Sequence, residues 1–183
     1  MITRLRYGKT NTFFVNGLLI DTDYAGTLPA FYQEIKRNHI LLSDIRYILA
    51  THYHPDHIGL IGELTDMGIT LLLLRHQIRH VHYSDPIFSW TPHLPYKPID
   101  ESKATIISCQ ESRGFLNRIG IQGEIIATAS HSQDGAAVLF DDGNCCVGDV
   151  EPIEWIDAYE KNQKLKDDWK RIASYHPTTI RYS

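Results

Sequence analysis

The side chains best suited to chemistry lie in Thr51-His52-Tyr53-His54-Pro55-Asp56-His57-Ile58-Gly59, where His52, His54, Asp56 and His57 fall within six positions. Imidazole and carboxylate are the ligands that zinc and neighbouring first-row metals favour. A metal held this way can fix a substrate and activate water. Ligation explains the clustering better than a His-rich surface loop does. The residues before it, Ile45 to Ala50, read as a short buried strand, and Ile58, Ile61 and Leu64 after it keep helical spacing. The cluster therefore belongs on a strand-to-helix turn, where side chains can converge from a rigid base.

His52-Tyr53-His54-Pro55-Asp56-His57 resembles the H-x-H-x-D-H signature of the metallo-β-lactamase superfamily of metallohydrolases. In that family the ligand set is completed by a His in a G-H-S/T-like segment, an Asp in a strand-end G-D and a late His. The counterparts in this chain are His131 in Ala129-Ser130-His131-Ser132, Asp149 in Val147-Gly148-Asp149, and His176 in Ser174-Tyr175-His176-Pro177. Asn11 to Val15, leading to Leu19-Ile20-Asp21-Thr22-Asp23, has the shape of the family's opening strand. Two departures are visible: Ala129-Ser130 stands where the family often has Pro-Gly, and Pro177 where it usually has Gly.

The resemblance implies a first metal on His52, His54 and His131, a second on Asp56, His57 and His176, and Asp149 bridging both. Three neutral imidazoles leave zinc an open position. Two metals about 3.5 Å apart share a hydroxide of near-neutral pKa, which attacks a carbonyl while the metals stabilise the developing charge. Asp56 is the natural residue to orient that hydroxide and carry a proton. Tyr53 and Tyr175 adjoin ligands, where either phenol could donate to an oxyanion or simply pack. Ser132 and Asp134 are suited to orienting a ligand or to capping a turn.

The expected activity is a dinuclear hydrolase, zinc-dependent with iron or manganese as substitutes, acting on a small ester, thioester, lactone or related carbonyl compound. Asp149 as a bridge matches the hydrolase pattern of the family rather than true β-lactamases. Two alternatives stand beside it. One is a mononuclear-iron sulfur oxidoreductase of the same fold; the other is a non-catalytic metal-binding protein.

Length and composition set the frame. The 183 residues suit a single domain spanning 1–183 with a sizeable core, and 43% hydrophobic with 22% charged residues describes a globular chain. A net charge of -4 without a basic run excludes a nucleic-acid surface. No stretch is long enough to cross a membrane, and Met1 to Arg6 carries no apolar leader. Three cysteines, two of them adjacent, suit a reducing cytoplasm rather than a disulfide framework. On a strand, Cys145 and Cys146 should divide between core and surface.

Elements must then deliver the ligands. Strands are expected over 2–7 and 12–21, and a helix over 28–38 with Phe31, Ile35 and Tyr32 inward. The cluster's own strand and helix follow, ending at Gly68, and then an apolar strand over 69–74. Residues 75–83 begin a helix whose His76 and His80 sit four apart, a metal-capable spacing on what is otherwise an exposed face. The 84–103 stretch, with four prolines and Phe88, Trp90 and Tyr96, reads as a long irregular loop. It suits a substrate pocket, a homodimer contact or a plain surface crossing. A strand (104–108), a helix (111–119), a strand delivering His131 (123–128) and a hairpin over Asp141-Asp142-Gly143 delivering Asp149 complete the pattern. Pro152 should open a long helix to Ala173, burying Ile156, Tyr159, Leu165, Trp169 and Ile172, its alternating charges from Glu160 to Arg171 facing solvent. The fold class is α/β, layered as an α/β/β/α sandwich of metallo-β-lactamase type.

Overall fold

Short apolar segments separated by turn residues resolve into two sheets, each in its own compact unit, 1–108 and 109–183. The structure, a computed structural model, describes residues 1–157 and 162–183.

In the first unit, β1 (Thr3–Leu5), β2 (Thr12–Val15) and β3 (Leu18–Ile20) form an antiparallel edge. The 12–21 stretch, expected as one strand, is instead a hairpin: Val15 faces Leu18 across Asn16-Gly17, whose φ values are 42° and 88°. Asn-Gly is the pair that two-residue hairpins favour, because both positions need positive φ. The sheet continues in parallel through β4 (Tyr47–Leu49), β5 (Thr70–Leu74) and β6 (Thr105–Ile107), in spatial order β1 to β6. Helix α1 (Leu28–Arg37) carries the chain from β3 to β4. Helices α2 (Pro55–Ile58) and α3 (Ile61–Asp66) carry it from β4 to β5. Phe31 and Ile35 of α1 and Ile61 and Leu64 of α3 pack with Leu19, Ile48, Leu71 and Leu73 of the strands. Each such buried side chain contributes about 1.5–3 kcal/mol. Tyr32 is exposed instead of inward.

Two expectations are corrected between β5 and β6. Residues Arg75–His80 form a 3-10 turn, not an α-helix, so His76 and His80 do not stack on one face. The 84–103 stretch is not wholly irregular: it includes α4 (Asp85–Ser89), whose buried Phe88 stacks on Tyr96 with centroids 3.9 Å apart.

The second unit begins with α5 (Cys109–Arg118), followed by an antiparallel meander of β7 (Gly123–Ala127), β8 (Ala136–Phe140) and β9 (Asn144–Gly148). Ser112 fastens α5 to β7, its hydroxyl oxygen accepting the Ile125 N–H at 2.9 Å. Helix α6 (Gln163–Ala173) then crosses over to β10 (Thr179–Tyr182), a strand not foreseen from sequence, which lies parallel to β9. Leu165, Trp169 and Ile172 of α6 pack with Ala137, Leu139, Cys145 and Val147.

The single helix expected from Pro152 is not what forms. A 3-10 turn covers Ile153–Trp155, and α6 starts afresh after Asn162, whose side chain accepts the Leu165 N–H at 3.1 Å. An Asn cap satisfies an amide that a continuous helix would have bonded itself, so it marks a true start. Ile156 is half-buried, while Tyr159 and Glu160 lie outside the described residues. Cys145 and Cys146 do not divide between core and surface; both are fully buried. Among the described residues no helix is long and apolar enough to cross a membrane.

Candidate metal centre

The expected cluster sits where β4 ends. His54 occupies the N-cap position of α2, with Pro55 in the first turn, where a missing N–H costs nothing. The turn is fastened from several sides. His57 carbonyl oxygen accepts both the N–H of Thr22 (2.8 Å) and its hydroxyl (3.1 Å). Gly59 donates to the Asp23 carbonyl at 3.0 Å, and a Cβ there would stand 2.1 Å from Ala25 N. Buried Gln77 donates to the Ala50 carbonyl at 2.9 Å, and buried Ser84 donates to that of Tyr53 at 2.7 Å.

The imidazoles are oriented by a chain of contacts that starts at Asp21. This residue follows β3, is fully buried and holds φ at 60°, a left-handed conformation that Asp tolerates better than most residues. Its Oδ1 accepts the Thr51 N–H at 2.6 Å, and its Oδ2 accepts the Thr51 hydroxyl at 2.8 Å and faces His57 Nδ1 at 3.1 Å. Thr51 has one hydroxyl proton and gives it to Asp21. Its oxygen, 3.2 Å from His52 Nδ1, is therefore left to accept. Both His52 and His57 are thereby favoured with the proton on Nδ1 and the lone pair on Nε2.

His52 Nε2 lies 3.0 Å from His54 Nδ1. Two ligands of a tetrahedral zinc at about 2.1 Å stand about 3.4 Å apart, so these nitrogens need move only a few tenths of an ångström to share an ion. The His57 ring packs on His52 with centroids 4.0 Å apart, and Asp56 Oδ2, half-exposed, stands 3.8 Å from His57 Nε2. The donor set is of the right chemistry: the Nε2 lone pairs favoured on His52 and His57, the His54 ring against His52, and one accessible carboxylate beside them. It fits a metal. Burial, and then the Asp23 and Asp21 charges, push the Tyr7 phenol far above its ordinary range.

In the second unit, His131 and Asp149 come together. His131 follows β7, Asp149 follows β9, and their Nε2 and Oδ2 are 3.8 Å apart. Gly148, with φ of 61°, turns the chain just ahead of Asp149. His176 does not join this pair. Thr179 pairs with Asn144, and the Thr178 and Thr179 amides bond to the Gly143 carbonyl, so His176 lies at the hairpin end of β9. Asp149 lies past the opposite end, roughly 15–20 Å along a strand that rises ~3.3 Å per residue. The part of β10 that runs beside Gly148 is Tyr182, followed by Ser183.

Residues 6–171 match the family model described as Metallo-beta-lactamase superfamily. The chain belongs to this superfamily. Its fold is also that of solved members. The metallo-beta-lactamase family protein TTHA1429 from Thermus thermophilus superposes with a TM-score of 0.74 at 18% identity, over 100% of this chain and 72% of that one. The lactamase MIM-1 from Novosphingobium pentaromativorans superposes at 0.68 and 18% identity, over 94% and 69%. TTHA1623, solved in a di-iron-bound form, superposes at 0.70 and 17% identity, over 100% and 91%. At such identities the likeness establishes the fold. No curated protein sequence is significantly similar to the chain.

The residues of this superfamily member whose roles the sequence left with alternatives are placed as follows. Tyr53 is buried in the core of its unit, 1% exposed, and cannot reach a substrate. Tyr175 is exposed but sits with His176 at the hairpin end of the second unit. Ser132 and Asp134 bond to each other, and Asp134 is buried. Sequence reasoning passed over Asp21 and Thr51 as members of the site. The available signal was an acidic residue immediately after an apolar strand, with a threonine leading the His cluster. It also passed over Tyr83, exposed, its ring 5.7 Å from that of His54.

Proposed function

We propose that this superfamily member is a dinuclear metal-dependent hydrolase, using zinc, of a small ester, thioester, lactone or related carbonyl compound, its two units acting as one domain spanning 1–183. The ligands carried by the family pattern are His52, His54 and His131 for one ion and Asp56 and His57 for the other, with Asp149 between them. His176 is left out. The observation that carries the reading is the His52 Nε2–His54 Nδ1 approach of 3.0 Å, with the remaining nitrogen of His52 held by Thr51. A bound ion supplies Lewis acidity and a water that ionises near neutral pH.

The protein's own groups do the rest. Asp21 and Thr51 favour the ligating tautomer of His52 and His57 before any ion arrives, so these two rings need no proton shift on binding. Asp56 is anchored on α2 but its carboxylate is open to solvent, which suits it to accept a proton from attacking water and pass it to the leaving group. Tyr83 offers an aromatic wall beside His54, against which an apolar part of a small substrate can lie. The net charge of -4 and three cysteines outside any disulfide support a cytoplasmic enzyme of small molecules rather than a nucleic-acid binder.

Metal analysis of purified protein should give close to two zinc equivalents, and His52→Ala should abolish hydrolysis of an ester and lactone panel while leaving the fold intact. A wild-type rate in that variant would overturn the reading. One rival is a mononuclear-iron oxidation of sulfur compounds on the same fold; the di-iron-bound form of TTHA1623 supports it only in that a protein of this fold holds iron. Iron in place of zinc, with oxygen uptake on thiol or persulfide addition, would decide for it.

A further inference from the structure

We infer that Asp168 is a positioning residue for His131, holding the backbone that presents this imidazole. Asp168 lies on α6, among the charges expected to face solvent, yet it is 1% exposed. Its Oδ2 accepts the N–H groups of Ala129 (2.8 Å) and Ser130 (2.7 Å), the two residues immediately before His131. Its Oδ1 pairs with Arg171 one turn along the helix. A carboxylate buried this way is tolerable because its acceptor sites are taken by two fixed amides and a guanidinium.

The geometry explains how a loop without Pro or Gly before its histidine keeps a defined shape. Residues 128–135 are closed at the base, where Thr128 N–H donates to the Gly135 carbonyl at 2.9 Å and Gly135 N–H to that of Ser132 at 3.0 Å. A Cβ on Gly135 would stand 2.7 Å from the Thr128 carbonyl oxygen, so the base admits only glycine without a shift. Nothing in that closure restrains the shoulder of the loop, 129–130. Asp168 does, from an element 39 and 38 residues away in sequence. Because α6 is anchored in its unit's core by Leu165, Trp169 and Ile172, the loop inherits the helix's rigidity. His131 Nε2 is then kept within 3.8 Å of Asp149 Oδ2, the separation at which both can reach one cation.

The inference rests on the reading of His131 as a metal ligand, and the test separates the two. Full-length wild type, D168A, D168N and H131A are compared in two measurements. One is amide hydrogen exchange at Ala129 and Ser130 without metal; the other is cobalt(II) titration, reading affinity and the visible d–d spectrum. D168A should exchange those two amides at least tenfold faster and bind cobalt about 10–100-fold more weakly, the range found when a partner that orients a ligand is lost. D168N keeps an oxygen for the amides while giving up the charge. It should fall between, with the wild-type spectrum. A residue that only stabilised the fold would lower the melting temperature and leave cobalt affinity and spectrum of the folded protein unchanged. That result, in D168A or, if D168A does not fold, in D168N, overturns the inference. H131A reports on the underlying reading alone: unaltered cobalt binding there removes His131 from the ligand set, while the exchange rates still decide whether Asp168 holds the loop.

Discussion

Replacing Asp21 by Asn changes a single atom type at the origin of the site's orientation. Asn tolerates the positive φ of this position, so the backbone has no reason to move. The Thr51 N–H, 2.6 Å from Oδ1, cannot be re-aimed, and the one oxygen of Asn must stay on it. The new amide NH2 then points at the Thr51 hydroxyl and at His57 Nδ1, which stand 2.8 and 3.1 Å from Oδ2. The hydroxyl can rotate and accept. His57 can accept only by moving its proton from Nδ1 to Nε2, which removes the lone pair that would hold an ion.

Three charge-assisted contacts thereby become neutral ones, a loss of about 1–3 kcal/mol in stability, which a protein of ordinary stability survives. Metal affinity at His57 should fall by about 10–100-fold, equivalent to about 1.4–2.8 kcal/mol. Long-range nitrogen-15 spectra would report the tautomer of His57 directly, and competition against a chelator would report the affinity. An Asn variant whose His57 keeps its proton on Nδ1 and whose affinity is that of wild type would refute the reasoning, because orientation would then come from elsewhere.

Other perturbations follow from the same coordinates. Gly59→Ala places a methyl 2.1 Å from the Ala25 nitrogen and 2.3 Å from the Tyr24 carbonyl carbon. Since backbone cannot yield as a side-chain tip can, a loss of about 1–3 kcal/mol in denaturant unfolding, with weakened metal binding, is expected. Burial pushes the Cys145 thiol up to about 12, so it should resist alkylation at pH 8 in the native protein and react only on unfolding; labelling in native protein would count against its burial. His82 is subject to burial, which alone lowers its pKa, but Asp85 (2.9 Å from Nδ1) and Glu101 (3.1 Å from Nε2) outweigh it, and the net shift is upward. A raised folded pKa means the contribution is complete below the ordinary histidine value of about 6.5 and is lost as pH rises through the folded one. Amide exchange in 82–103 should therefore accelerate as pH rises across that window beyond the intrinsic rate, and His82→Gln should remove the dependence. A proton-NMR titration giving His82 a pKa below 6.5 would be the contrary result.

The metal-capable cluster was legible in the sequence because its residues are contiguous: His52, His54, Asp56 and His57 lie on one strand-to-helix turn, and local spacing alone dictates their convergence. The core faces of α1 and α3 and the hairpin before Asp149 were legible for the same reason, since a periodic pattern or a turn signature is a property of neighbours. Even the Asn16-Gly17 hairpin carried its signal, passed over in favour of one long apolar strand. Misreadings arose where a side chain or a strand register overrode local pattern. Asn162 restarts a helix that charge alternation would have run through from Pro152. The carboxylate of Asp168 is buried by two amides that no helical wheel can anticipate. His176 looked like a ligand because its order along the chain was right. Pairing of β10 with β9 is a long-range choice, and its register places His176 at one end of a strand and Asp149 at the other. Residue type and spacing thus determined what chemistry this chain can support. Which nitrogen His52 and His57 present, and which distant carboxylates hold the candidate ligands still, were decided by hydrogen bonds between segments that only folding brings together.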